Sequence, residues 1–316
     1  RAAARVAVVE AGVVLSRIHE AAAAQDLSFP LTFGARGSAM VGGFLSTTAG
    51  GSNVLRYGNA RALVLGIEAV LADGRVLDLM SALHKDNTGY DLRDLMIGAE
   101  GTLGIITAAV LKLVPAPRAH ATATVAAPGL EAGLALLNRL QVASGGAVEA
   151  FEYMPASYMA RLARYRPDLR PPFARTAPAT LLVEIASTMP RDATPGPDGA
   201  LPLAALLETA LAEGMAAGEV IDAVVAQTGA QRRAMWERRE AAAEVSLNTA
   251  PLVDTDIALP LDGLSPFLAA ITRRLAALDP EASETVVAHL GDGNIHYTAY
   301  PARDDPGLLA DIRARA

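Results

Sequence analysis

The sequence predicts an α+β protein of two domains, a glycine-rich domain followed by one built on an antiparallel sheet with helices on one face. Three observations carry this. Short β-rich runs alternate with stretches of helical spacing along most of the chain, with hairpin signals among them. Glycine clusters are dense before residue 107. Pro115-Ala116-Pro117 then interrupts the pattern, and the composition changes after it, which divides the chain into 1–116 and 117–316.

Val6–Glu10 reads as a strand and Ala11-Gly12 as a turn. Leu15, Ile18 and Ala22 place a helix over Leu15–Gln25. From Phe29 to Gly51 no period is apparent. Ala62–Leu71 and Arg75–Leu79 flank Asp73-Gly74, a hairpin turn signal. Leu92–Ile97 is a short helix, Gly98–Gly104 a loop and Ile105–Val114 a strand. In the second domain, strands are expected at Thr122–Ala127, Val148–Met154, Ala179–Ala186 and Val220–Val225, with a strand end at Asp256–Pro260. Helices are expected at Leu130–Ala143, Ser157–Arg164, Ala204–Ala217, Gln227–Ser246 and Leu264–Leu278. Arg170–Pro178 and Met189–Leu203 read as loops, the latter a mobile surface one. Thr285–Tyr300 reads as a hairpin, and Pro306–Ala316 as a helix.

With 52% hydrophobic and 19% charged residues, the chain is a folded globular protein. A net charge of −7 without a basic cluster argues against a nucleic-acid partner. The absence of Cys excludes disulfides, thiolate catalysis and Cys-ligated metals. No apolar run is long enough to span a bilayer. Arg1 is not an initiator Met and Ala316 falls inside an expected helix, so the chain reads as a fragment of a longer protein.

Two segments share one chemical character. Val41-Gly42-Gly43-Phe44-Leu45-Ser46-Thr47-Thr48-Ala49-Gly50-Gly51 and Gly98-Ala99-Glu100-Gly101-Thr102-Leu103-Gly104-Ile105-Ile106 both offer closely approachable backbone N–H groups, with hydroxyl donors from Ser46, Thr47 and Thr48. Neither fits a Rossmann or P-loop pattern. Any single glycine is better read as a turn residue, but two such clusters in one domain favour an anionic ligand. A third motif is His289-Leu290-Gly291-Asp292-Gly293-Asn294-Ile295-His296. If Asp292-Gly293 is a two-residue turn, His289 faces His296 on one sheet face, where two imidazoles can share a divalent cation. The residues alone leave open a plain pair of core or surface histidines.

The segment Gly34–Thr107 closely resembles the FAD-binding domain of the vanillyl-alcohol oxidase / p-cresol methylhydroxylase superfamily, within it the D-lactate / D-2-hydroxyglutarate dehydrogenase branch. The residues that carry the resemblance are Gly42-Gly43, Thr47, Ala49-Gly50-Gly51, Arg56-Tyr57-Gly58, Lys85–Leu92 and Gly98–Thr107. Weaker similarity covers nearly the whole chain. The implied fold is part of a p-cresol methylhydroxylase-type FAD-binding domain followed by an α+β substrate/cap domain with an antiparallel sheet. FAD is the implied cofactor. Gly42, Gly43, Ser46, Thr47, Thr48, Gly50, Gly51, Glu100, Gly101, Gly104, Ile105 and Ile106 are its expected contacts. Phe44 and Thr48 stand where the family often has Asn. The family's first phosphate loop would lie before Arg1, which leads us to expect weak FAD retention by this chain alone.

In the same branch, His289 and His296 correspond to ligands of zinc or a similar divalent metal near the flavin, and Arg239 to the clamp for the substrate carboxylate. The plain alternative for Arg239 is a surface residue on a charged helix. A further ligand and the base would lie beyond Ala316. Three positions depart from the 2-hydroxyglutarate enzymes: Ala243 for Thr, Asp254 for Lys and Thr298 for Asn. These favour a substrate with one carboxylate, such as D-lactate. The resemblance implies oxidation of a D-2-hydroxy acid by hydride transfer to flavin. Electrons would then leave to a quinone, a cytochrome or an electron-transfer flavoprotein. It also implies a cytoplasmic, bacterial-type setting that is compatible with peripheral membrane association, and it leaves a homodimer open. Two alternatives compete. One is a non-catalytic flavin-binding subunit of a multi-subunit glycolate or lactate oxidase. The other is a metal hydrolase, which would leave the glycine loops without a role.

Overall fold

The structure, a computed structural model, describes residues 1–197 and 199–315. The chain divides into two compact units, Arg1–Arg118 and Ala119–Ala316.

In the first unit the elements are β1 (Val6–Glu10), α1 (Leu15–Ala23), β2 (Leu27–Ser28), α2 (Val41–Ser46), α3 (Val54–Tyr57), β3 (Val64–Val70), β4 (Val76–Leu79), α4 (Leu92–Met96), β5 (Ile105–Lys112) and β6 (Val114–Pro115). Four strands form an antiparallel sheet in the order β1-β5-β3-β4, and β2 pairs with β6. Leu15 and Ile18 of α1 and Val41, Phe44 and Leu45 of α2 pack on Ile67, Ala69, Ala109 and Leu111 of the sheet. Each buried Leu, Ile, Val or Phe among them, moved out of water, contributes about 1.5–3 kcal/mol.

The stretch 29–51 is not without period, as the sequence suggested. A 3-10 turn covers Gly34–Gly37, and α2 runs through Gly42-Gly43. Val41, Phe44 and Leu45 have the i, i+3, i+4 spacing of a buried helix face, and the two glycines between them mask it. Phe44 is buried, with its ring 6.1 Å from that of Phe29. The Phe44 side chain is therefore a core contact.

The second unit contains β7 (Ala119–Ala127), α5 (Leu130–Ser144), β8 (Val148–Pro155), α6 (Ala156–Tyr165), β9 (Ala179–Ser187), α7 (Pro202–Ala216), β10 (Asp222–Val225), α8 (Gly229–Glu240), α9 (Ala242–Leu247), β11 (Val253–Ala258), α10 (Leu264–Leu278), β12 (Ser283–His289), β13 (Asn294–Tyr300) and α11 (Pro306–Arg315). Ala316, at the end of the expected last helix, and Asp198, within the expected loop 189–203, lie outside the described residues. That loop also carries a 3-10 turn over Pro190–Ala193. Seven strands form one sheet in the order β10-β7-β9-β8-β12-β13-β11, every pair antiparallel.

Helices cover both faces of this sheet, where one face was expected. Gly133 of α5 lies against Leu181, while α6, α8 and α9 pack on Leu182, Met154 and Val287. Leu181 and Leu182 are neighbours in β9 and so point to opposite faces. This explains why β9 is buried along its whole length. The long helix expected over 227–246 is two helices that meet at Ala241. Thr228 starts α8 with a capping box to Gln231.

Candidate functional site

In the first unit the two glycine-rich segments lie side by side. Gly98 donates its N–H to the Leu45 carbonyl (3.0 Å), and Glu100 donates to that of Ser46 (3.1 Å). Arg61 ties them further by donating to the carbonyls of Asp94 (2.6 Å) and Ile97 (2.8 Å) and to Thr48 Oγ1 (3.4 Å). The sequence did not single out Arg61. Its partners lie 13 to 36 residues away, and no local pattern marks them.

The expected cofactor residues fall into two groups. Gly43, Thr47, Gly50, Glu100, Gly101 and Ile105 are exposed, and Gly42, Ser46, Thr48 and Gly104 are partly so. A Cβ on Gly43 would meet nothing within 4 Å, so bare backbone faces open space there. Gly51 and Ile106 are buried. A Cβ on Gly51 would stand 1.9 Å from the Thr32 carbonyl oxygen, so that glycine serves close chain packing. The Thr47 hydroxyl donates to the Gly43 carbonyl (3.2 Å) and keeps its lone pairs free to accept.

In the second unit the hairpin has a four-residue loop, 290–293, instead of the two-residue turn expected from Asp292-Gly293. His289 pairs with Asn294, and His296 pairs with Val287. The register differs from expectation by two residues, so the side-chain parity is kept and both histidines still share one face. Their ring centroids lie 5.3 Å apart, edge to face. Gly293, at φ +79°, fixes this loop, since a Cβ there would stand 2.1 Å from the Leu259 carbonyl oxygen.

Neighbouring strands complete the face. Glu152 of β8 sits opposite His289, and Asp256 of β11 sits opposite His296. Glu152 Oε1 accepts from His289 Nδ1 (2.7 Å), and its Oε2 accepts from Arg239 Nε (2.5 Å). His296 Nδ1 lies 3.6 Å from Asp256 Oδ1, and Asn294 donates to that same oxygen (2.5 Å). Exposure rises across the row, from 1% at Glu152 through 17% at His289 and 38% at His296 to 68% at Asp256. The site is thus anchored in the core and opens toward β11. Both histidines have Nδ1 beside a carboxylate, which leaves Nε2 as the atom to meet a ligand.

The electrostatics follow from burial and pairing. Burial alone would raise the Glu152 carboxyl, but Arg239 and then His289 outweigh it and bring it down to about 2. Burial, with Arg239 and His289 adding to it, lowers His296 and favours a neutral imidazole. Asp292 is raised, chiefly by burial. The positions that depart from the resemblance are also placed. Thr298 and Asp254 sit directly opposite each other and share a hydrogen bond (2.6 Å), while Ala243 is exposed on α9.

A second cluster lies farther along the same sheet. Ligand-type atoms of His120, Glu149 and Glu184 come within 4.8 Å of one another. Glu184 is already committed: Arg232 donates to both its oxygens (2.6 Å each), and Thr122 and Trp236 add further bonds. A guanidinium on both oxygens disfavours a cation there. The sequence did not single out Glu152 or Glu184. The readable sign was a carboxylate set inside an apolar strand, in Ala150-Phe151-Glu152-Tyr153 and in Leu182-Val183-Glu184-Ile185.

Known proteins bear directly on this arrangement. Residues 1–80 match the family described as FAD binding domain, and residues 116–315 match FAD linked oxidases, C-terminal domain. The chain belongs to the FAD-linked oxidases. This member is 37% identical over 308 residues to the mitochondrial D-2-hydroxyglutarate dehydrogenase of Bos taurus, which covers 97% of the chain and 54% of that relative. To the D-2-hydroxyglutarate dehydrogenase of Xanthomonas citri pv. viticola it is 33% identical over 294 residues, 92% of the chain and 58% of the relative. It therefore spans about half the length of the curated relatives it matches. An alkyldihydroxyacetonephosphate synthase structure shares the fold at TM-score 0.67 and 14% identity, over 99% of this chain and 59% of that one. Among the described residues of this FAD-linked oxidase, no helix is long and apolar enough to cross a membrane.

Proposed function

We propose that this chain is the acid- and metal-binding part, with part of the flavin cradle, of an FAD-dependent dehydrogenase that oxidises a D-2-hydroxy acid to the 2-oxo acid. The observation that carries the reading is the His289/His296 pair beside Arg239, backed by buried Glu152 on one sheet face. The donor set fits a divalent cation of the zinc type: two imidazoles with Nε2 available, one with Nδ1 bonded to Glu152 and the other with Nδ1 3.6 Å from Asp256. The exposed backbone at Gly43 and Gly101 and the Thr47 hydroxyl fit an anionic cofactor. Bound FAD would supply the two-electron acceptor, and a cation on His289 and His296 the Lewis acidity toward the substrate hydroxyl. Arg239 spends only Nε on Glu152, and its remaining N–H donors suit a carboxylate.

The far end of the site favours a substrate with one carboxylate. Asp254 and Asp256 line the face beyond His296, and Asp254, which accepts from Thr298, stands where a lysine would receive a second carboxylate. Repulsion of this kind near water is worth about 1 kcal/mol per charge at 4 Å, so two acidic side chains disfavour a dicarboxylate on the order of tenfold. Loss of the oxidised-flavin band, followed anaerobically in the full-length protein, tests both parts. D-lactate should bleach the flavin with at least tenfold higher kcat/KM than D-2-hydroxyglutarate. A preference for D-2-hydroxyglutarate would overturn the monocarboxylate assignment. No bleaching by any D-2-hydroxy acid would overturn the function.

A further inference from the structure

We propose that Glu152 is a positioning residue that sets the tautomer of His289 and the placement of Arg239 together, and so couples the metal ligand to the carboxylate clamp. The inference rests on the proposed reading of His289 as a ligand. The ladder between β8 and β12 pairs only Ala288 with Tyr153 and His289 with Glu152, so the strands bring this carboxylate to one imidazole. Glu152 is almost wholly buried, and its two oxygens divide between two partners: Oε1 to His289 Nδ1, Oε2 to Arg239 Nε.

A carboxylate only accepts. Its neighbour at 2.7 Å must therefore be Nδ1–H, and in the neutral imidazole, the form that can ligate a cation, the lone pair of His289 then sits on Nε2. The other tautomer would set a lone pair against a carboxylate that is almost wholly buried. The same logic fixes Arg239. With Nε bonded to Glu152, the Nη donors are the ones left to meet a ligand. Without the second acceptor oxygen the two constraints cannot both be kept, because the glutamine amide can accept from one partner but presents a donor NH2 to the other.

Nitrogen-15 spectra of histidine-labelled, metal-free full-length protein test the first half without any variant. At a pH where His289 is neutral, its signal, assigned by its loss in His289→Gln, should show the single proton on Nδ1; a neutral ring with the proton on Nε2 would overturn the proposal. Zinc affinity by chelator competition in wild type, His296→Ala and Glu152→Gln tests the second half. His296→Ala should abolish tight binding, and Glu152→Gln should weaken it 10–100-fold. The Glu152→Gln variant should also raise KM for the acid. If His296→Ala binds zinc as wild type does, the metal reading fails and the positioning role falls with it. If His296→Ala loses zinc while Glu152→Gln keeps wild-type affinity and KM, the metal reading stands and the positioning role is wrong. Should Glu152→Gln not fold, the tautomer in the wild type decides alone.

Discussion

Glycines that look alike in the sequence separate into different roles once their surroundings are known. Gly51 lies where a Cβ would meet the Thr32 carbonyl at 1.9 Å, an atom that cannot swing aside. Gly51→Ala should cost about 3 kcal/mol or more in a denaturant melt, by overpacking. Gly43, in α2, has open space where its side chain would be. Gly43→Ala should leave stability unchanged or raise it by up to about 1 kcal/mol, because alanine favours helix. It should nonetheless weaken flavin binding in the full-length protein several-fold, read by flavin fluorescence on titration. Equal flavin affinity in Gly43→Ala and wild type would remove Gly43 from the cofactor site. Residue identity alone marked both as ligand glycines. What distinguishes them is a neighbour 19 residues away, which no spacing rule contains.

At the scale of elements, α8 places Arg239, the proposed carboxylate clamp. Arg232, Trp236 and Arg239 stand at i, i+4 and i+7, one face of a helix, and that face lies on two buried carboxylates, Glu184 and Glu152. The sequence announced a charged helix, and a solvated surface was the plain alternative for its arginines. The structure turns two of them inward because strands β8 and β9 carry glutamates at matching positions. Arg232→Met should destabilise the protein by roughly 3–5 kcal/mol, since Glu184 would lose its counter-charge while staying buried. Thermal and denaturant melts read this directly, and a loss under 1 kcal/mol would show the pair to be surface-like. The hairpin β12–β13 was legible because histidines at fixed offsets flank a glycine turn. Its register was not, because loop length depends on Leu259 crowding Gly293 from β11's end. Parity protected the functional conclusion: a two-residue change keeps every side chain on its face, whereas a one-residue change would have separated the histidines.

For the molecule as a whole, buried carboxylates make stability depend on acid. Glu152 is held near 2 against an ordinary value of 4.5, a depressed folded-state pKa. Its stabilising contribution is complete above about pH 4.5 and is lost as pH falls toward 2, on the order of 3 kcal/mol. Glu184 shifts in the same direction, as Arg232 outweighs burial. Denaturant midpoints measured from pH 7 to pH 2.5 should fall more steeply in wild type than in Glu152→Gln; parallel curves would contradict this. Most strands and helices were readable from local periodicity, as in α10, whose ends fall where the sequence put them. The order of the seven strands was not, because β8 meets β12 across more than 130 residues, and helices on both faces follow from that order. The same long-range pairing brings Glu152 to His289.

Anomalous scattering at the zinc edge from crystals of the full-length protein grown with zinc tests the histidine site most directly. A peak is expected about 2.0–2.1 Å from Nε2 of both His289 and His296. A peak at His120, Glu149 and Glu184 instead, or none on the histidine pair, would contradict the metal reading.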